Sequence, residues 1–392
     1  MSRNSFRPII LSFAICTVAV SAQRTFADDD VARQIQIIAQ AGPNGAGSRA
    51  AAKARDRLLK QGPEILPQLL KAMDTANIVA ANWYRSVFEQ LVSRELAAKE
   101  PKLPVSDFKR YIENPKHQGR LRRRLLSLMN ELELDYRVQL LPKLLDDPEF
   151  RNDAVDHALE KGAVALKRGN KTEARRQYLA AFHHARNARQ ITRAADRLNV
   201  LGEKVSIIKQ MGFVTDWYLL GPFDAPGKTG FDTSFPPEKK VDLSATYPGK
   251  NGITIRWKRS QKTDRLGQLN LIQSIASVKE AVGYAYTELD SKSEQSVELR
   301  CGADDNLTVW LNGKKVFSRL QWLNGTRLDR FSASVKLKKG RNRLLVKICQ
   351  GPQHKNPAVP NNWSMQLRFC AKDGKGVDLK SLLPSVKNQE GQ

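Results

Sequence analysis

A chain of 392 residues with 41% hydrophobic content is long enough for two or three domains with cores of their own, which excludes wholesale disorder. Its formal charge of +25 is spread over both halves: residues 31–212 carry 33 Lys and Arg against 20 Asp and Glu, and residues 213–392 carry 29 against 17. A reader of nucleic acid gathers its basic residues on one face, whereas here Arg122-Arg123-Arg124 and Lys336 to Arg343 are the local runs. No specific nucleic-acid partner is expected, and the charge implies salt-sensitive attraction to envelope or matrix polyanions.

The chain opens as an export signal. Arg3 and Arg7 precede an apolar run from Ile9 to Val20, and small residues offer cleavage after Ala22 or after Ala27, so residues 1–27 are assigned to a signal peptide. The run is too short to span a membrane, and no later stretch is apolar for long enough. Cys16 follows Ile15, where a lipoprotein signal would have a small residue. The expectation is a protein exported to the periplasm or beyond, with no transmembrane segment.

Residues 31–211 carry a helical period. Leu58, Leu59, Ile65, Leu66, Leu69 and Leu70 recur at spacings of three and four, punctuated by Gly62-Pro63, and a second cycle follows Pro101 to Pro104. The segment Gln139 to Gly162 resembles a HEAT repeat, and Leu140 to Leu145 looks like a better-kept copy of Ile65 to Leu70. From Ala158 to Arg186, Gly162, Ala174, Tyr178 and Ala181 fall at the small and aromatic positions of a tetratricopeptide repeat. Lys161, Ala165 and Arg186 depart from that pattern. Small residues at these points let antiparallel helices approach closely, and the expected architecture is a short α-solenoid whose helix pairs bury a core by stacking.

At Gly212 the period becomes strand-like. Trp217 to Phe223 is aromatic and β-branched and ends at Gly221-Pro222; Asp224 to Asn251 reads as a long loop with little regular structure. Strands are predicted over Ile253 to Lys258, Ala281 to Leu289, Val297 to Cys301, Leu307 to Leu311, Ala333 to Leu337, Arg343 to Cys349 and Trp363 to Phe369. Asn312-Gly313 supplies the positive φ angles of a two-residue hairpin. Short strands with no helix between them imply an antiparallel β-sandwich over residues 213–371, and residues 372–392 read as a disordered polar tail. Cys301, Cys349 and Cys370 lie in this third of the chain. If Cys349 and Cys370 end neighbouring antiparallel strands they sit at opposite ends of the pair, which leaves a Cys301–Cys370 bridge or no bridge at all.

The order of Gly302-Ala303-Asp304-Asp305, Val309-Trp310-Leu311-Asn312-Gly313, Val335-Lys336-Leu337, Gly340-Arg341-Asn342, Leu344 to Ile348 and Trp363 to Phe369 resembles the galactose-binding-like jelly roll, especially the sugar-binding domain of family 2 glycoside hydrolases. Trp217 to Phe223 looks like the entry to such modules in planctomycete-type secreted proteins. The resemblance implies the strand order and a carbohydrate ligand; it supplies no binding site, because the ligand loops of that fold vary.

Aromatic faces beside amides and charged groups are what sugars need. Trp217, Trp257, Trp310 and Trp363 sit within or beside strand patterns and are read as packing. Trp322 lies in a polar loop, Arg319 to Arg327, and with Asn324 and Arg327 forms the candidate ligand site. Asp304-Asp305 suits either a turn or a calcium ion, and Asp146-Asp147 reads as helix capping in a repeat turn. Asn306-Leu307-Thr308 and Asn324-Gly325-Thr326 fit a glycosylation sequon, which occurs often by chance. The five histidines show no metal-ligand spacing, and no nucleophile elbow, phosphate loop or dinucleotide fingerprint is present, so no catalytic residue, metal or cofactor is assigned.

The expectation is therefore a helical repeat domain followed by a jelly-roll sandwich, together forming a non-enzymatic exported protein. The sandwich would attach to polysaccharide or envelope glycan, and the helices would dock a protein partner. A structural protein whose sandwich binds no sugar is the alternative, and a divergent glycan-processing enzyme a third reading.

Overall fold

The computed structural model describes residues 29–322, 325–356, 358–359 and 362–384. The chain mixes α and β structure in sequence order, helices first and antiparallel sheets after. It forms two compact units, one running to Lys143 with Asp147–Glu149, the other comprising Leu144–Asp146 and everything from Phe150. The change of period at Gly212 thus lies inside the second unit. Among the described residues no helix is long and apolar enough to cross a membrane. The signal peptide expected over residues 1–27 lies outside the described residues.

The first unit contains α1 (29–39), α2 (Ser48–Leu58), α3 (Leu66–Met73), α4 (Ile78–Leu96), α5 (Val105–Glu113), α6 (Gly119–Leu132) and α7 (Tyr136–Leu140). Asn77 caps α4, accepting from the Val79 and Ala80 amides, and donates to the Ala39 and Ala41 carbonyls, so one amide both starts α4 and ties it to the end of α1. Arg122 on α6 is 1% exposed and makes a two-pronged ion pair with Asp147, at 3.1 and 2.6 Å, while its Nε donates to the Ile112 carbonyl. Capping is therefore not the main task of Asp147. The rest of the basic run is also matched to acids, Arg123 to Glu149 and Arg124 to Glu89.

The second unit begins with α8 (Arg151–Lys167), α9 (Lys171–His184), α10 (Ala188–Val200) and α11 (Ile207–Met211). Gly162 on α8 lies against the Tyr178 ring of α9, where a Cβ would come within 2.6 Å, so the pair of helices packs as closely as the small residues suggest. Gly212, at φ 74°, ends α11 in the left-handed conformation, and Phe213 then bridges to Arg368.

The sheets are built from β1 (Trp217–Asp224), β2 (Thr246–Pro248), β3 (Thr254–Arg256), β4 (Lys258–Ser260), β5 (Leu269–Asn270), β6 (Ala281–Ser291), β7 (Gln295–Ala303), β8 (Leu307–Leu311), β9 (Lys314–Arg319), β10 (Phe331–Leu337), β11 (Gly340–Gln350), β12 (Ser364–Cys370) and β13 (Lys380–Ser381). One sheet runs β4-β1-β6-β11-β8-β9 with β13 added beside β6, a second runs β10-β7-β12-β5, and β2 pairs with β3. Period-two alternation sends Ala285, Leu289, Leu344, Val346, Ile348, Leu307 and Val309 inward to meet Leu299, Leu367 and Phe369 of the facing sheet, with Trp217 and Trp363 in the same core. The turn Asp304-Asp305-Asn306 carries the chain from one sheet to the other, because β7 and β8 belong to different sheets. Asn312 and Gly313, at φ 53° and 80°, form the two-residue hairpin expected of them, with Leu311 opposite Lys314.

Two expectations change, and of the two cysteine alternatives the one without a bridge holds. The stretch from Asp224 to Asn251 carries local structure, including α12 (Pro236–Lys239) and β2, because its aromatics have a sheet face to cover. Residues 372–384 are not a free tail: Val377 and Leu379 pack on the core and β13 pairs with Asp290 and Leu289, while residues 385–392 lie outside the described residues. Cys349 and Cys370 do not end neighbouring strands, since they lie in different sheets. Cys301 faces Leu367, three residues from Cys370, which is about 10 Å along a strand and beyond bridging distance. All three thiols are free and buried, and burial pushes those of Cys301 and Cys349 up to about 12.

Candidate functional site

The alternation that fills the core leaves the opposite face of the larger sheet with its own rows. On β6, β11 and β8 the outward residues are Tyr284, Lys347 and Thr308 in one row, Tyr286, Leu345 and Trp310 in the next, and Glu288 opposite Arg343 in the third. The chain from Pro226 to Leu243 lies over the first of these. Phe223, Phe235, Tyr247, Trp257 and Tyr284 form an aromatic cluster there, and the Lys347 ammonium, on a residue 2% exposed, donates to the carbonyls of Phe231 (3.2 Å) and Thr233 (2.6 Å) and to Glu238 Oε1 (2.9 Å). The Tyr284 hydroxyl donates to the same Glu238 oxygen at 2.5 Å. Burial, reinforced by that carboxylate, holds the Tyr284 phenol far above its ordinary range.

The covering segment stops short of the second and third rows, and the step forms a cleft of about 820 Å³. Tyr286, Leu345 and Trp310 make its floor, with Trp310 half-buried. One wall is Pro237 to Val241 with Leu243; the other is the pair of hairpins carrying Asn312, Gly313 and Lys338. Asn342, fully buried, bonds to the Lys338 backbone at both amide and carbonyl and accepts from Asn312 Nδ2, so the two hairpins are fixed to each other. Glu288 accepts from Tyr286 (2.6 Å) and pairs with Arg341 (3.3 Å) and Arg343 (3.4 Å). Burial, then the Glu288 carboxylate, raises the Tyr286 phenol well beyond its usual range, so it stays a donor.

Of the loop residues singled out from the sequence, neither Trp322 nor Arg327 lines this cleft. Trp322 is half-buried, packs against Gly351 and carries the Lys228 ammonium 5.3 Å from its ring. Arg327 is exposed, and its carbonyl lies where a Cβ on Gly302 would come within 2.1 Å. Asn324 lies outside the described residues. From the sequence Trp310 reads as packing because it sits in a strand. The signal that would have separated it was parity: Trp310 alternates out of step with Leu307, Val309 and Leu311.

Asp304 and Asp305 form a structured turn. Asp304 accepts from the Gly325 amide (2.6 Å) and Asp305 from the Gly351 amide (2.7 Å), and among the described residues no group of His, Cys, Asp and Glu has a metal-holding arrangement. Burial and the Asp305 charge push the Asp304 carboxyl up to about 6. The folded state therefore keeps a proton that the unfolded chain releases near pH 4, and stability falls as pH rises from about 4 to about 6. Relative to Asp304→Asn, the native protein is expected to lose on the order of 2 kcal/mol between pH 4 and pH 7. Urea unfolding at the two pH values measures it, and a pH-independent difference would refute the assignment.

No family model and no curated protein matches the chain. Solved structures with partial similarity include an anti-sigma factor domain-containing protein, 13% identical over 43% of this chain and 46% of its own, with a TM-score of 0.26. A GH2 beta-galacturonidase from Eisenbergiella tayi aligns over 40% of this chain and 25% of its own at 10% identity and a TM-score of 0.24. A PA14 sugar-binding domain from an RTX adhesin aligns over 44% of this chain and 93% of its own at 13% identity and a TM-score of 0.21. The chain spans about half the length of the first of these and a quarter of the second. Overlaps this slight assign no function.

Proposed function

We propose that the chain is an exported, non-enzymatic attachment protein, in which a jelly-roll sandwich of galactose-binding-like type holds polysaccharide or envelope glycan and HEAT- or TPR-like helices dock a protein partner. The observation that carries this reading is the open cleft whose floor offers a half-buried tryptophan and whose walls offer amide and charged groups. An indole face packs on the C–H groups of a sugar while the polar rim takes its hydroxyls. Glu238 and Glu288 both line the cleft, as a glycosidase pair would. Each, however, already accepts from a cation and a phenol, so neither is presented as a proton donor.

The test is a polysaccharide pull-down of the full chain at low and high salt, with Trp310→Ala and Trp322→Ala side by side. Salt-resistant retention should fall tenfold or more in Trp310→Ala, the scale of a central aromatic contact of about 2 kcal/mol, and stay near the native level in Trp322→Ala. Loss in Trp322→Ala alone would move the site to the loop. No salt-resistant retention of any glycan would favour a purely structural sandwich.

A further inference from the structure

The cleft's charge is lopsided in a way that sugar hydroxyls do not require. Lys239, Lys240, Lys338, Arg341 and Arg343 line it against two carboxylates, Glu238 and Glu288. Glu238 is matched by Lys347 from beneath, and Glu288 by both arginines. The ammonium groups of Lys239, Lys240 and Lys338 are exposed and, among the described residues, have no hydrogen-bond or ion-pair partner, and the guanidinium groups sit 3.3 and 3.4 Å from the one carboxylate they share. Basic residues therefore stand on both walls, on either side of an aromatic floor. Arg341 and Arg343, two residues apart on β11, lie about 7 Å from one another along the strand.

We propose that the ligand of this cleft is an anionic polysaccharide, with a sugar ring on Trp310 and its carboxylates or sulfates taken by Lys239, Lys240 and Lys338, assisted by Arg341 and Arg343. This rests on the glycan reading above and adds to it the chemistry of the ligand. Charge-assisted hydrogen bonds from lysine and arginine to such anions are stronger than neutral ones, whereas contacts between exposed charges weaken over a Debye length of about 8 Å at physiological salt. A neutral sugar would leave Lys239 and Lys338 unanswered, and Lys240 with the nearby Asp242 carboxylate alone. A polyanion lacking an apolar sugar face, such as duplex DNA, would leave Trp310 unused.

The experiment measures binding of the full chain to three immobilised polymers that share one backbone: chondroitin sulfate, unsulfated chondroitin and carboxyl-reduced chondroitin, at 50 and 300 mM NaCl. Duplex DNA serves as a competitor. The variants are Trp310→Ala and the triple exchange of Lys239, Lys240 and Lys338 to Gln, whose sites are exposed and do not endanger folding. The expected result is tenfold or greater preference for an acidic polymer over the reduced one, lost in the triple variant with residual neutral binding retained. Trp310→Ala should weaken binding to all three. Preference for the sulfated form would assign the anion as sulfate, and equal binding of both acidic forms would assign it as carboxylate. Equal binding to acidic and reduced polymers, still sensitive to Trp310→Ala, would overturn the anionic assignment and leave the glycan reading standing. Binding of acidic polymer that DNA displaces equally well and that ignores Trp310→Ala would overturn it in favour of nonspecific charge. Binding to none of the three would overturn it, while the wider polysaccharide pull-down decides the glycan reading by itself.

Discussion

Replacing Lys347 by Met is expected to cost about 3 kcal/mol of stability and to abolish glycan retention together. The ammonium is buried on the outer face of the sheet and holds three acceptors, two of them carbonyls of the segment that forms one cleft wall. Methionine removes the ammonium donor, leaving the Phe231 and Thr233 carbonyls without it and Glu238 with the Tyr284 hydroxyl and a long bond from the Phe235 amide. The Thr233 carbonyl can rehydrate because its residue is exposed, but Glu238 sits deeper and the segment must lift to wet it. The loss should therefore belong to the wall and not to the sandwich core. Urea unfolding followed by tryptophan fluorescence gives the stability change, and the pull-down gives retention. Native retention in a variant destabilised by the full amount would show that the wall does not shape the site.

Asp147→Ala should be at least as damaging, by about 3–5 kcal/mol, because the charge it abandons has no path to water. Arg122 is 1% exposed and keeps its Nε bond to the Ile112 carbonyl, but loses both prongs of its carboxylate partner. The paired exchange Arg122→Met with Asp147→Ala is expected to recover a good part of the loss, since it removes the stranded charge itself. Circular dichroism melts of the single and double variants make the comparison. A double variant no better than the single would show that packing of the arginine stem, and not charge pairing, dominates.

Most of the longer strands were legible because alternation and turn chemistry are local. Val297, Leu299, Leu307, Val309 and Leu311 mark faces, and Asn312-Gly313 marks a hairpin, with no need of distant partners. Distant partners were what the sequence did not disclose. Asp146-Asp147 reads as a capping pair until Arg122 is seen 25 positions upstream. The stretch after Asp224 reads as loop because Pro and Gly interrupt it, yet Lys347, more than a hundred positions later, anchors it. The binding surface was obscured for the same reason. Trp322 stood out because its neighbours are polar, whereas Trp310 is framed by apolar residues that all point to the other side of the strand. A side chain's exposure is decided by what covers the sheet, and that cover comes from elsewhere in the chain.

The short pairing of Lys380 and Ser381 with β6 has a consequence for handling the protein. β1 occupies one side of β6 only as far as Tyr286, so beyond it Glu288 to Asp290 would present open amides and carbonyls, and the returning chain closes that gap through β13 and the bond from the Leu382 amide to the Glu288 carbonyl. An unpaired edge of this kind is a template for strand addition by a neighbouring molecule. A fragment cut at residue 371 would thus be expected to self-associate through β6, while one reaching residue 384 carries its own guard against it.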